Sequence, residues 1–236
     1  MRSLVSERSE GIEVRPRHPY VAFVRCIITA GPTYEPLDQV RRLINFSTGR
    51  LGSALAAFLA NRGHEVKLLL GEQATYRDPG VAHLAETFTT TADLRERLKS
   101  HGPAAAVFHA AAVSDFTFGQ VWARSPEGDL TPMKAGKIST RQGTLLAELL
   151  PTQKIISELR GWFTASIIVG WKYEVDGDRA GVLALAQRQT SECRTDACVA
   201  NGPAYGPGFG LVKRGVECVN LLDETALFES LAGMIR

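Results

Sequence analysis

The sequence predicts an α/β fold in which a doubly wound, mainly parallel sheet carries helices on both faces. Short apolar runs of strand length alternate with segments whose apolar residues recur at helical spacing, and this alternation favours parallel strands joined by helices. The runs are nearly continuous, which is typical of strands covered on both faces. The chain has 236 residues, 44% hydrophobic and 22% charged. We therefore expect a flexible arm at residues 1–19 and one domain at residues 20–236.

The first half of the chain begins this alternation. The apolar run Val21–Ile28 predicts a strand that ends in the glycine-containing loop Thr29–Thr33. From Thr48 onwards apolar residues stand at helical spacing, and Asn61–His64 contains a glycine that stops this helix. The segment Glu65–Leu70 then predicts a second buried strand.

The second half continues in the same way. Thr91 is placed to cap a helix that runs to Lys99, and the apolar stretch Ala104–Ala112 predicts another buried strand. The later elements are expected as strands at Ser166–Val169 and Ala197–Ala200 and as helices at about Arg179–Gln189 and Asp223–Met234.

Two stretches interrupt the alternation. Residues 116–143 contain Phe116, Phe118 and Trp122 among scattered glycines and prolines, without a regular period. Because this is long for a simple connection, we expect a flap or a dimer-contact segment there. Asn201–Gly210 is a turn-rich loop directly after a predicted strand.

Charge and composition exclude several classes of protein. The 27 Lys and Arg residues against 25 Asp and Glu residues give a net charge of +2, far from the basic excess of nucleic-acid-binding proteins. No window approaches the ~20 apolar residues that cross a bilayer. We therefore expect a soluble, cytoplasmic protein with neither a nucleic-acid nor a membrane partner.

The cysteines and histidines predict no metal site. The four cysteines form no C-x-x-C pair and have no histidines at metal-ligand spacing. Cys26 and Cys198 stand inside apolar runs, where a buried free thiol is expected. His109 is expected to be a buried histidine at a strand end.

Candidate ligand-binding segments follow from the predicted sheet. Open parallel sheets bind ligands beyond the carboxyl ends of their strands, where strand order reverses. Four segments meet that description: residues 29–33, 45–52, 110–115, and 170–172 together with Asn201.

The segment Asn45–Gly52 is the most suggestive of the four. It places Ser47, Thr48 and Gly49 at the start of a predicted helix, whose free amides and positive dipole end suit a phosphate. Gly52 lets a ligand or a strand come close. The pattern is neither a Walker motif nor a dinucleotide fingerprint. An ordinary Ser/Thr cap on a closely packed helix therefore fits the same residues.

Charged residues near these segments have alternative interpretations. Asp115 follows an alanine-rich strand end and could contact a ribose, orient a metal-bound water or cap a turn. Lys134 and Lys137 lie in the aperiodic segment and Lys172 at a strand end. Each lysine could offset phosphate charge during nucleotidyl transfer or be an ordinary solvated side chain.

Taken together, these segments resemble the phosphopantothenoylcysteine synthetase family of coenzyme A biosynthesis. The resemblance is distributed in order over residues 21–215. The motifs that carry it are the strand, loop and arginine at residues 28–41, Asn45-Phe-Ser-Thr-Gly-Arg-Leu-Gly52, Ala110-Ala-Ala-Val-Ser-Asp-Phe116, Lys137-Ile138, Val169-Gly-Trp-Lys-Tyr-Glu-Val-Asp176 and Val199-Ala-Asn201.

The resemblance implies a Rossmann-like homodimer that activates the carboxylate of 4'-phosphopantothenate with a nucleoside triphosphate, ATP or CTP with Mg²⁺, and then joins it to cysteine. It implies that Asn45 is the catalytic asparagine, which hydrogen-bonds the acyl phosphate, and that Lys137 is the flap lysine. Trp171 stands where the family has Phe and could stack on or pack beside the base. The implied substrate- and nucleotide-binding residues are Gly31, Ser47, Thr48, Gly49, Gly52, Ala111, Ala112, Asp115, Trp171, Lys172 and Asn201.

The chain departs from the family pattern at several points. It has no room for a fused flavin-dependent decarboxylase, so no flavin is expected. Members that use CTP carry lysines before the penultimate strand, whereas residues 187–194 offer only Arg188 and Arg194. This difference favours ATP. Residues 150–154 also replace the family's Lys-Met-Val segment.

Two other functions stay open from the sequence alone. A paralogue that binds a phosphorylated ligand without ligating it would keep the same fold. A Rossmann-type NAD(P)-dependent oxidoreductase would need a glycine fingerprint, and Thr29–Thr33 has one glycine.

Overall fold

The computed structural model describes residues 24–133, 136–139, 141 and 143–235. The expected arm at residues 1–19 and the first residues of the first predicted strand lie outside these ranges, as does Lys134. No helix in the described ranges is long and apolar enough to span a bilayer.

Strands and helices alternate through most of the described chain. The strands are β1 (Arg25–Ala30), β2 (Tyr34–Pro36), β3 (Arg42–Ile44), β4 (Glu65–Gly71), β5 (Ala85–Phe88), β6 (Ala106–His109), β7 (Phe116–Arg124), β8 (Leu130–Met133), β9 (Thr144–Pro151), β10 (Ile167–Tyr173), β11 (Ala197–Asn201), β12 (Phe209–Lys213) and β13 (Val219–Leu221). The helices are α1 (Arg50–Asn61), α2 (Thr91–Ser100), α3 (Ile155–Trp162), α4 (Arg179–Glu192) and α5 (Glu224–Ala232), with a short 3-10 helix at Pro79–Leu84.

The core of the fold is an eight-stranded sheet in the order β13-β12-β11-β10-β6-β1-β4-β5. The six strands from β11 to β5 are parallel, and β12 and β13 extend the sheet in antiparallel fashion. The chain moves outward from β1 through β4 to β5 and then returns to the other side of β1 as β6. This reversal confirms the predicted doubly wound, mainly parallel sheet.

Helices cover both faces of this sheet, as expected. On one face, α1 and α5 pack through residues such as Leu55, Leu59 and Leu227 onto Ile28 and Leu68. On the other face, α2 and α3 enclose a cluster that includes Val107 and Ile168, and α4 packs beside them over Cys198. Because both faces are buried, the central strands are apolar at nearly every position.

Several predicted boundaries need correction. β1 starts at Arg25 and runs to Ala30 instead of ending at Ile28, and β6 is shorter than Ala104–Ala112. β10 extends past Val169 to Tyr173.

Two helix starts differ from the predictions for reasons of capping. The cap of α2 is Thr90, whose hydroxyl accepts from the Asp93 N–H, rather than Thr91. The last helix begins after Asp223, whose carboxylate caps it by accepting from the Ala226 N–H at 2.8 Å. In both cases a side-chain oxygen satisfies an amide of the first turn.

The interpretation of residues 116–143 as a stretch without regular structure is wrong. β7 and β8 form within it, and β9 completes a separate antiparallel sheet in the order β8-β7-β9. The pairing of β7 with β9 shifts register between Phe118 and Val121. This irregularity and the exposure of many residues of the β8-β7-β9 sheet remove the alternation by which strands are usually found.

Candidate active site

A cleft of about 640 Å³ opens at the carboxyl ends of β6, β10 and β11. It lies at the edge of the sheet where the sequence predicts ligands. Seven of the predicted site residues line it together: Asn45, Ala111, Ala112, Asp115, Trp171, Lys172 and Asn201. A more open depression of about 760 Å³ continues from it and shares Tyr173 and Asn201.

The floor of the cleft is built where strand order reverses, between β1 and β6. The backbone pairing of these strands continues beyond their ends, because the Ala112 N–H donates to the Gly31 carbonyl at 2.9 Å and the Thr33 N–H donates to the Ala112 carbonyl at 3.1 Å. Small side chains at Ala111 and Ala112 leave this backbone accessible from the cleft.

Asn45 enters the cleft from the end of the β2–β3 hairpin. Its side-chain amide donates to the Val113 carbonyl at 3.1 Å, which holds the hairpin against the loop after β6. The residue is otherwise exposed, so its carboxamide oxygen and second amide hydrogen can reach a ligand.

The glycines near the start of α1 serve close packing. Gly49 is buried at the N-cap with φ 78°, a conformation that favours glycine. A Cβ at Gly52 would lie 2.6 Å from the Ala30 Cβ, so this glycine lets α1 approach β1. The predicted residues Gly31, Ser47, Thr48, Gly49 and Gly52 do not line the cleft, and α1 reaches it through Leu51.

Trp171 and Asn201 place two buried polar atoms beside the cleft. Trp171 Nε1 and Asn201 Oδ1 are enclosed and have no hydrogen-bond partner among the described residues. The two side chains stand on the same face of adjacent strands, since Trp171 pairs with Val199 and Tyr173 with Asn201. A buried donor and acceptor without partners suit a polar ligand.

Two lysines approach the cleft from the face of the sheet opposite to the one that carries Trp171 and Asn201. Lys172 lies on β10, and its Nζ is 3.6 Å from the Glu174 carboxylate. Lys154 is the N-cap residue of α3 and also lines the cleft, as does Gln189 of α4. Sequence reasoning missed Lys154 and Gln189 as site residues. The helical period that starts at Ile155 could have placed Lys154 at a helix N-terminus, but not at the cleft.

Lys137 does not line the cleft, and its side chain is exposed. Its neighbours are anchored to the turn of the β2–β3 hairpin, because the Ile138 N–H donates to the Asp38 carboxylate at 3.1 Å and the Gln39 N–H donates to the Gly136 carbonyl at 2.9 Å. Arg41 donates to the Ile138 carbonyl as well. The backbone around Lys137 is thus tied to the hairpin that carries Asn45.

Burial in the sheet favours the neutral forms of His109, Cys26 and Cys198. His109 lies in the cleft floor with Nδ1 2.8 Å from the Thr29 hydroxyl, and burial lowers its pKa to about 4. This confirms the buried strand-end histidine. Burial raises the pKa of the Cys26 and Cys198 thiols to about 12. Within the described ranges, no three His, Cys, Asp or Glu side chains cluster as metal ligands.

Comparison with known proteins places the chain in a family. The model of the DNA/pantothenate metabolism flavoprotein C-terminal domain matches residues 22–229. The coenzyme A biosynthesis bifunctional protein CoaBC of Bacillus subtilis (strain 168) is 32% identical over 186 residues, covering 78% of this chain and 42% of the relative. CoaBC of Mycolicibacterium smegmatis is 40% identical over 115 residues, covering 48% of this chain and 26% of the relative.

A third relative carries a different name. The cysteine/cysteine sulfinic acid decarboxylase of an unknown prokaryotic organism is 32% identical over 208 residues, covering 87% of this chain and 53% of the relative. The chain thus spans between 26% and 53% of these curated relatives.

Solved structures share the fold. The DNA/pantothenate metabolism flavoprotein from Streptococcus pneumoniae superimposes with a TM-score of 0.69 at 24% identity, covering 89% of this chain and 99% of that one. A Cab2 mutant in complex with phosphopantothenate-cysteine superimposes with a TM-score of 0.63 at 22% identity, covering 89% of this chain and 84% of that one. The family resemblance predicted from the sequence is confirmed, and the chain belongs to the family of the DNA/pantothenate metabolism flavoprotein C-terminal domain.

Proposed function

We propose that this chain is a phosphopantothenate–cysteine ligase that uses a nucleoside triphosphate. The observation that carries the proposal is the cleft itself, which gathers Asn45, Asp115, Trp171, Lys172 and Asn201 at the carboxyl ends of the central strands. A relative named for coenzyme A biosynthesis and a fold shared with a phosphopantothenate-cysteine complex support the same substrate class.

The reaction has two steps with different demands. A carboxylate oxygen of 4'-phosphopantothenate attacks the α-phosphorus, and the bond to pyrophosphate breaks, giving an acyl-nucleotide. The cysteine amine then attacks the acyl carbon, its proton passes to solvent, and the nucleoside monophosphate leaves. Asn45 can donate to the developing acyl oxyanion with the amide hydrogen that Val113 does not use.

The other cleft residues fit the remaining parts of these substrates. The backbone at Ala111 and Ala112 and the unpartnered Trp171 Nε1 and Asn201 Oδ1 suit polar edges of a base or an amide. Asp115 is an exposed carboxylate in the cleft. Mg²⁺ is commonly held by one or two carboxylates plus substrate phosphates, and Asp115 would hold it here together with the nucleotide. We propose ATP as the nucleotide, because α4 presents Gln189 rather than a cation to the cleft.

We also propose that the active protein is a homodimer formed through β9. Three leucines of this edge strand, Leu146, Leu149 and Leu150, are 39–47% exposed. Long apolar edge strands are covered in soluble proteins because their free backbone groups pair with other chains. A second copy would cover them in a symmetric interface.

The ligase activity is tested by incubation with 4'-phosphopantothenate, cysteine, Mg²⁺ and either ATP or CTP. We expect pyrophosphate release and a coupled product of the correct mass, with faster turnover for ATP. Binding without pyrophosphate would identify a non-catalytic paralogue instead. Faster turnover with CTP would contradict the choice of nucleotide but leave the ligase activity standing.

A further inference from the structure

Polar and positively charged side chains gather on the side of the cleft that α3 and α4 bound. Both helices meet β10 at Gly170, where a Cβ would collide with the Gln189 amide and lie 3.1 Å from Ile156 Cδ1. Lys154 and Lys172 stand around this junction, one at the start of α3 and the other on β10. Three different elements therefore deliver polar side chains to one side of the cleft.

The positive charge of the cleft is concentrated at this junction. Among the described residues that line the cleft, Lys154 and Lys172 are the two lysines, and no arginine is present. Both charges act on one point, the Cys193 thiol at the end of α4: burial raises its pKa, and Lys154 and Lys172 each oppose that increase. Both lysines also line the same cleft, so a ligand with several negative charges that enters there meets both ammonium groups.

The arginines on and just after α4 do not supply the positive charge of the cleft. Arg188 is 70% exposed and donates to Glu192 at 2.7 Å on the outer side of α4. Neither Arg188 nor Arg194 lines the cleft, whereas Gln189 does. A ligand with several negative charges would therefore meet the lysines of α3 and β10 rather than cations of α4.

We propose that Lys154 and Lys172 form a phosphate-binding pair of the cleft. The pair rests on the proposed function, which requires two phosphate-bearing substrates. Lysine is a compact charge with three donors and suits a phosphate monoester or a polyphosphate. The Lys172 to Glu174 distance of 3.6 Å is longer than a hydrogen bond, and both side chains are about one-third exposed. Lys172 can therefore turn its donors to a ligand.

The test is a binding titration with Lys154→Gln, Lys172→Gln and the double variant. The probes are ATP, CTP, 4'-phosphopantothenate and pantothenate, which lacks the phosphate. Arg188→Gln is the matched control, since it removes one positive charge outside the cleft. We expect each cleft variant to weaken binding of a phosphate-bearing probe by about tenfold or more, with a larger loss in the double variant. Pantothenate binding should not change.

The probes also identify which phosphate the pair holds. A loss confined to ATP and CTP assigns the pair to the nucleotide, and a loss confined to 4'-phosphopantothenate assigns it to the acid. In the ligation assay the corresponding KM should rise while kcat changes little, because the contact acts on binding. Dissociation constants that match those of Arg188→Gln for all probes would overturn the proposal.

Failure of the ligase proposal gives a different result. If the wild type forms no product but the double variant binds phosphate-bearing probes more weakly than the wild type, the phosphate pair is supported and the ligase activity is overturned. If the wild type makes product and the double variant binds all probes as tightly as the wild type does, the ligase activity is supported and the phosphate pair is overturned.

Discussion

Asn45 is held by one hydrogen bond and otherwise faces the cleft, so it can be changed without disturbing the core. We expect Asn45→Ala to lower ligation by ~10²–10³, because one well-placed donor to an oxyanion contributes that much. Nucleotide affinity and the unfolding midpoint should stay close to wild type. Asn61→Ala, at the exposed far end of α1, is the matched control. Turnover of the folded Asn45 variant at the wild-type rate would remove Asn45 from the chemistry.

His109 predicts how stability depends on pH. Its pKa falls from an ordinary 6.5 to about 4 through burial, so between these values the unfolded chain binds a proton that the folded chain does not. The free energy of unfolding should therefore fall as the pH drops from 6.5 to 4, by roughly 3 kcal/mol in total.

Urea unfolding of wild type, His109→Gln and His83→Gln over that range checks this dependence. His83 is exposed, so its variant should keep the wild-type slope, while His109→Gln should flatten it. Equal slopes for all three proteins would show that another group controls the dependence.

The site residues found from the sequence are marked by local sequence patterns, whereas the missed ones reach the cleft through tertiary packing. Asp115 follows a predicted strand, and Asn45 precedes a predicted helix within the motif that carries the family resemblance. The carboxyl edge of a parallel sheet brings such residues together. Lys154 is brought to the same cleft by the packing of Ile155 and Leu159 of α3 in one cluster with Ile168. No local pattern encodes that packing, so a lysine before a helix looks like any solvated lysine.

At the scale of elements, Asp38 joins the hairpin to the segment that carries Lys137. Its inaccessible carboxylate accepts from the N–H groups of Val40, Arg41 and Ile138 at 2.7–3.1 Å. These bonds, that of Ile138 foremost, hold its pKa below its ordinary value. The link is therefore fully present above the ordinary range of an aspartate and is lost as the pH falls through the lowered pKa.

We expect Asp38→Asn to speed amide hydrogen exchange severalfold in a peptide covering residues 136–139, because a neutral amide accepts these bonds more weakly. Exchange mass spectrometry at neutral pH measures this directly. Asp129→Asn makes the same change at an exposed position in the β7–β8 turn and should leave the exchange rate unaltered. Unchanged protection in Asp38→Asn would mean that other contacts hold the segment.

The element pattern shows where sequence reasoning works. The buried strands β1, β4, β6, β10 and β11 are apolar on both faces, so their existence follows from composition and only their ends shift. The strands β7, β8 and β9 and the β2–β3 hairpin lack that signal. In β9, for example, seven of eight residues are exposed, and without a buried face there is no alternation to read.

At the scale of the whole molecule, the exposed leucines of β9 predict the state of assembly. We expect wild type to be a dimer at micromolar concentration by light scattering. Leu149→Lys should shift it to monomer, because two-fold symmetry would bury the new charge twice. Leu185→Lys changes a leucine on α4 of similar exposure, 39% against 47% for Leu149, and should remain dimeric. A monomeric wild type would refute the dimer.

The floor of the cleft is made of main-chain atoms that extend the pairing of β1 and β6, with alanine side chains above them. Main-chain geometry persists through most substitutions, whereas the surrounding rim consists of single side chains from several elements, among them the β2–β3 hairpin, α3, β10, β11 and α4. Ligand preference can therefore drift through replacements at the rim without any redesign of the floor. Within this architecture, a change of ligand preference falls on the rim side chains, while the main-chain floor stays the same.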